Sequence, residues 1–207
     1  MLDVIQEQLE AIYGIRCEYR AKDFLVDAEA ARQLGASGRA REELLVSEGA
    51  DGLELALYLE PALLERVTRA GLEAELGELC EVAEGVSHFL YVAHTARLER
   101  SVSLLELEAQ AEVDKFAICT LWRWGLHAGR WAGSLMGRLF ERVALRPSLS
   151  EPERWRYLEA NRLAKAYCER LLPIVRHGQL DRLLSELRHA YRLGAEAKLQ
   201  YFARAAR

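Results

Sequence analysis

Two groups of carboxylate and imidazole side chains in this sequence recur at helical spacing. Glu81, Glu84 and His88 lie at i, i+3 and i+7, so a helix carries all three on one face. A carboxylate and an imidazole at i and i+4, as at Glu84 and His88, can hold one metal ion from a single helix. Glu108 and Glu112 repeat the i, i+4 spacing, followed by Asp114 and Lys115. Carboxylates among Leu104, Leu105, Leu107, Val113 and Phe116 either face solvent or converge on something. A zinc ion that performs hydrolysis needs three such ligands and an open position.

Other chemistry leaves little trace. Glu186-Leu187-Arg188-His189 is a single E-x-x-H, whereas a di-iron bundle needs two copies and two more glutamates. No G-x-S-x-G, Walker loop or strand-linked G-x-G-x-x-G occurs in the sequence, so nucleophile and phosphate chemistry have no motif. Ser87 adjoins His88, but neighbours on a helix diverge by about 100° and cannot form a triad through adjacency.

A second feature is aromatic. Trp122, Trp124 and Trp131 fall within ten residues, interleaved with Arg123 and Arg130. Tryptophan and arginine anchor protein interfaces, and they also stack bases. Gly125, Gly129, Gly133 and Gly137 recur every four residues, a smooth helix edge that admits close approach of another helix. The expected partner of Trp122, Trp124, Arg130 and Trp131 is a neighbouring helix, another protein or a second copy of the chain.

Elements must position these residues. Apolar positions 2, 5, 9 and 12 predict a first helix ended by Gly14. Alternation over 15–20, continuing through Phe24-Leu25-Val26, predicts a strand. Asp27 caps a short helix over 28–34, and Leu44-Leu45-Val46 with residues 53–59 flanks a Gly-Ala-Asp-Gly turn, a hairpin. From Pro61 the pattern is helical. A helix is expected over 72–94, and another starts from the Ser103/Glu106 capping box and runs to Trp124. A third starts at Ser150 and is stopped by Pro173, and one last helix runs from Gly178 to the C-terminus. Trp155, Leu158, Leu163, Tyr167 and Leu171 form one expected core face, and Leu180, Leu183, Leu184, Leu187, Tyr191 and Leu199 another.

Composition bounds the class. The chain has 207 residues, 51% of them hydrophobic, enough for a sizeable core. No run of eighteen apolar residues occurs, so no membrane partner is expected. Met1–Glu7 lacks the basic-then-apolar order of a signal peptide, and Cys17, Cys80, Cys119 and Cys168 form no CxxC pair. Both point to buried free thiols in a cytoplasmic protein. Residues 1–117 hold 11 Lys/Arg against 24 Asp/Glu, and residues 118–207 hold 17 against 8. The basic residues are spread singly, so nucleic-acid binding through the C-terminal helices is the weaker reading of that asymmetry.

The order helix, strand, hairpin, then a helix with Glu84-Gly85-Val86-Ser87-His88 and a helix with Glu108–Ala117 resembles the zincin metallopeptidases of the ImmA/IrrE type. That family carries HExxH on the first helix and an E-x-x-A-x-x-F-A-like segment on the next. The resemblance covers residues 1–120 and implies that His88 takes the place of the second histidine ligand. It also implies that Glu112, or Glu108 instead, takes the place of the third. Glu84 stands where the first histidine belongs and Gly85 where the catalytic glutamate belongs. Glycine cannot take a proton from metal-bound water. The ligand set this implies is Glu84, His88 and Glu112, with Glu81 and Glu108 nearby and zinc or another divalent metal as the cofactor. The ordinary alternative is a core His88 bonded to a glutamate, with Glu84 and Glu112 paired to Lys115 or an arginine.

The expectation is an α+β, predominantly helical chain with a small N-terminal strand-and-hairpin layer followed by a helical body. Residues 1–120 form an acidic zincin-like region and 121–207 a basic all-helical region packed on it, or the two make one continuous domain. The leading functional expectation is a non-enzymatic interaction or regulatory protein, a pseudo-metallopeptidase. The competing one is a metal-dependent hydrolase with Glu81 or Glu108 as base.

Overall fold

The computed structural model describes residues 1–49, 52–124, 128–141 and 145–204. It is predominantly helical, with nine α-helices and one three-stranded sheet among those residues. The chain folds as two compact units, Met1–Glu10 with Ile15–Ser101, and Ala11–Gly14 with Val102–Arg207. The boundary therefore falls ahead of the helix that carries Glu108 and Glu112, which belongs to the second unit.

In the first unit, α1 (Leu2–Tyr13, its last residues in the second unit) precedes a segment that the alternation marks as a strand. Residues 15–20 are not one. The carboxamide of Gln6 takes their place in hydrogen bonding: its nitrogen donates to the Tyr19 carbonyl at 2.8 Å and its oxygen accepts from the Ala21 N–H at 2.9 Å. Backbone groups satisfied by a side chain need no ladder. Only β1 (Leu25–Val26) is extended, after a 3-10 turn over Ala21–Phe24. Asp27 caps α2 (Ala28–Gln33) through the Glu29 and Ala30 N–H groups.

The hairpin forms as its sequence indicates, β2 (Glu42–Gly49) antiparallel to β3 (Gly52–Leu59), with residues 50 and 51 of its turn outside the described residues. β1 runs parallel to β3, so the sheet order is β1-β3-β2. α3 (Pro61–Ala70) places its proline in the first turn, where the missing N–H is harmless. α4 (Leu76–Arg97) starts four residues later than the periodicity indicates, because Glu75 accepts from the Glu78 N–H and caps it there. α4 packs on β2, β3 and α3. Phe89 on α4 meets the Phe24 ring at 4.8 Å, both within this unit.

In the second unit, α5 (Leu104–Trp122) is capped by Ser103 and packs on α6 (Ala128–Phe140), α7 (Glu151–Arg176) and α9 (Ala195–Ala203). α7 opens with a complete Ser150/Glu153 capping box and runs through Pro173 rather than stopping there. The proline removes one N–H near the end of the helix. The bonds of His177 to the Pro173 carbonyl and of Gln179 to the Ile174 carbonyl close the turn behind it. Gly178, at φ 65°, supplies the left-handed exit that such a closure needs.

The last helix is two, α8 (Leu180–Arg192) and α9, separated where Gly194 adopts an extended N-cap conformation. The expected core face of α7 is only partly buried. Leu163, Tyr167 and Leu171 are buried, whereas Trp155 is 61% and Leu158 48% exposed. No helix among the described residues is long and apolar enough to cross a membrane.

Candidate metal centre

α4 does present Glu81, Glu84 and His88 toward one side, and what they meet is the start of β2. Arg41 and Glu42 are neighbours there and dock on α4 in turn. Arg41 lies 3.4 Å from Glu78 and 3.3 Å from Glu81, and 2.7 Å from Glu60 at the N-cap of α3. Glu42 reaches His88, with Nδ1 to Oε1 at 3.5 Å. Ligand atoms of Glu42, Glu84 and His88 all lie within 4.8 Å of one another. The side chains of His88 and Glu42 are only 8% and 11% exposed.

Gly85 explains how the strand comes so near. A Cβ at this position would sit 2.9 Å from Glu42 Cγ and 3.2 Å from both Glu42 Oε1 and Leu57 Cδ1. Any side chain there displaces Glu42.

Burial raises the Glu81 carboxyl above its usual range, and the charges of Glu84, Glu60 and Glu78 add to the rise while Arg41 opposes it. Glu81 therefore belongs to an ion cluster around Arg41, beside the Glu42, Glu84 and His88 group.

The donor set fits a divalent ion in type. Imidazole suits zinc, iron and nickel, and carboxylates suit manganese and magnesium, so a mixed set favours manganese, iron or zinc. Ligands at tetrahedral angles on bonds of ~2.1 Å stand about 3.4 Å apart, so side chains whose ligand atoms lie within 4.8 Å of one another must draw together to hold an ion.

The other expected site residues lie in the second unit. Glu112 accepts from Lys115 Nζ at 2.6 Å, and Glu108 lies 3.8 Å from the Arg156 guanidinium. Glu112 thus has the Lys115 partner of the ordinary reading, and Glu108 pairs with an arginine. Trp131 donates its indole N–H to the Cys119 carbonyl at 2.9 Å and lies under the Arg123 guanidinium at 4.3 Å, so it fastens α6 to α5. Trp122 and Trp124 are half-buried and Arg130 is exposed. Of the glycine edge, Gly129 makes a close helix approach, its built Cβ 2.9 Å from Arg176 Cα of α7. Gly133 faces open space, and Gly125 lies outside the described residues.

The E-x-x-H of α8 holds an aromatic ring. Glu186 accepts from the Tyr201 hydroxyl at 2.7 Å, and the His189 ring stands edge-on to Tyr201 at 5.1 Å.

Glu42 is the site residue that sequence reasoning missed. No local pattern joins position 42 to position 84. The available signal was Gly85, a glycine inside a helix, which marks a close approach by something else. The chain matches no protein-family model, no curated protein and no solved structure.

Proposed function

We propose that this chain is a non-enzymatic regulatory protein whose first unit binds one divalent metal ion through Glu42, Glu84 and His88. The convergence of those three side chains from β2 and α4 carries the reading. An ion there would join the start of a strand to the middle of a helix, so metal loading would set the stability of that unit. The zincin resemblance is consistent with a site that keeps the ligand position of His88 and has exchanged its base for Gly85. The partner of the regulatory role is another protein or a second copy, met through Trp122, Trp124 and Arg130, because Trp131 is engaged in packing.

The test is calorimetric titration of chelator-treated protein with Mn²⁺ and Zn²⁺, beside His88→Ala and Glu42→Gln. The reading expects one ion per chain and at least a tenfold loss of affinity in each variant. Equal affinity in wild type and both variants would remove it.

The hydrolase reading draws on one observation, the raised Glu81 carboxyl near the cluster. Arg41 engages that carboxylate at 3.3 Å, which argues for a structural role. Turnover of a peptide or ester panel by the metal-loaded chain, lost in Glu81→Gln, would reverse the order of the two.

A further inference from the structure

The centre of the second unit contains a polar line with the opposite character. Glu106, Gln110 and Asp114 stand at i, i+4 and i+8 on α5, a single stripe, and all three are buried. Lys198 of α9 enters this stripe with no exposure at all. Its ammonium donates to Gln110 Oε1 at 2.8 Å, lies 4.0 Å from Glu106 Oε1, and sits 5.2 Å from the centre of the Tyr191 ring.

The Gln110 amide is oriented by what lies on its other side. Its nitrogen donates to Asp114 Oδ1 at 2.7 Å and to the Tyr13 hydroxyl at 3.1 Å, while Tyr13 donates to the same Asp114 oxygen. The carbonyl end of the amide is thereby turned toward Lys198. A carboxylate, an amide oxygen and an aromatic face around one nitrogen form the set that recognises a primary ammonium.

α9 is anchored by few buried side chains. It has nine residues, and an isolated helix of that length is marginal in water. Its two buried residues are Lys198 and Phe202, the latter stacked on Tyr167 at 4.6 Å. Arg170 holds its end by donating to the Tyr201 carbonyl at 2.7 Å and the Phe202 carbonyl at 3.3 Å.

We infer that Glu106, Gln110 and Tyr191 form a primary-ammonium site occupied by the chain's own Lys198, and that α9 is a latch whose closure depends on that cation. The competing physical account is that Lys198 merely fills volume. Whole buried ion pairs are often replaceable by apolar side chains at no loss, whereas removal of one partner strands the other. The identity of the group at position 198 therefore separates the two accounts.

The experiment is chemical rescue in the full-length chain. Lys198→Ala removes Cγ, Cδ, Cε and Nζ, the atoms of n-propylammonium. The expected result is a Tm lower by about 10 °C and amide exchange in α9 faster by at least a hundredfold. Titration with n-propylammonium should restore a saturable part of both, and 1-propanol should not. Equal rescue by 1-propanol overturns the inference. Should Lys198→Ala not fold, Lys198→Met decides: faster α9 exchange and a lower Tm are expected, and wild-type values of both overturn it.

Discussion

The two units carry polar clusters built from the same residue types and arranged for different ends. In the second unit, Glu106 and Asp114 are shut away from water, with Lys198 supplying positive charge and Gln110 and Tyr13 supplying hydrogen bonds. In the first, two carboxylates and one imidazole converge from β2 and α4 with their ligand atoms close together. The three groups sum to a charge of −2 with neutral histidine and −1 with protonated histidine. The difference teaches that burial alone does not mark a binding site. Glu106 meets the Lys198 ammonium, whereas Glu84 meets a second carboxylate and an imidazole, the convergence on which the metal proposal rests.

Variants separate the clusters by what each one loses. The largest expected effect is on the buried line: Asp114→Ala removes the acceptor of both Tyr13 and Gln110 and should cost about 3 kcal/mol, read by denaturant unfolding, with metal affinity unchanged. Metal at a hundred times its Kd should stabilise the first unit by about 2.7 kcal/mol, and His88→Ala should abolish that increment in a thermal melt. Gly85→Ala sets the helix gain of up to about 1 kcal/mol from alanine against a Cβ 2.9 Å from Glu42 Cγ. Overpacking of about 1–3 kcal/mol should win, and the ion should bind at least tenfold more weakly.

Ser150→Ala removes only the cap of α7. It should cost about 1 kcal/mol and leave both clusters intact.

The smallest effect concerns pH. The folded Glu81 carboxyl is raised above its usual 4.5, so the folded state holds that proton more tightly than the unfolded chain. Its contribution is fully present below about pH 4.5 and is lost as pH rises through the folded pKa. Glu81→Gln should flatten stability above pH 4.5, measured by unfolding at stepped pH. An unchanged slope would assign the pH dependence to other groups.

Local chemistry was legible in the sequence and long-range chemistry was not. Asp27, Ser103 and Ser150 cap the helices they precede, and the hairpin forms around its glycine turn. Each of these devices acts within a few residues. The alternation over residues 15–20 misleads because Gln6, more than a dozen residues upstream of Tyr19 and Ala21, satisfies the backbone that a strand would have paired. The apolar spacing of α7 extends to Trp155 and Leu158, which the fold leaves exposed. Periodicity reports which face is apolar and not where its cover ends. Glu84 and His88 share a face as their spacing requires. Their third neighbour, Glu42, is brought by the sheet, and no helical pattern encodes that meeting.

The most direct test of the central claim is the metal content of untagged protein purified beside Glu42→Gln, by mass spectrometry. One manganese, iron or zinc ion per wild-type chain, reduced at least tenfold in the variant while the fold is retained, is the predicted result. Equal metal content in the two, with Glu42→Gln changing only stability, would contradict it and leave the Glu42–His88 pair as a packing contact between strand and helix.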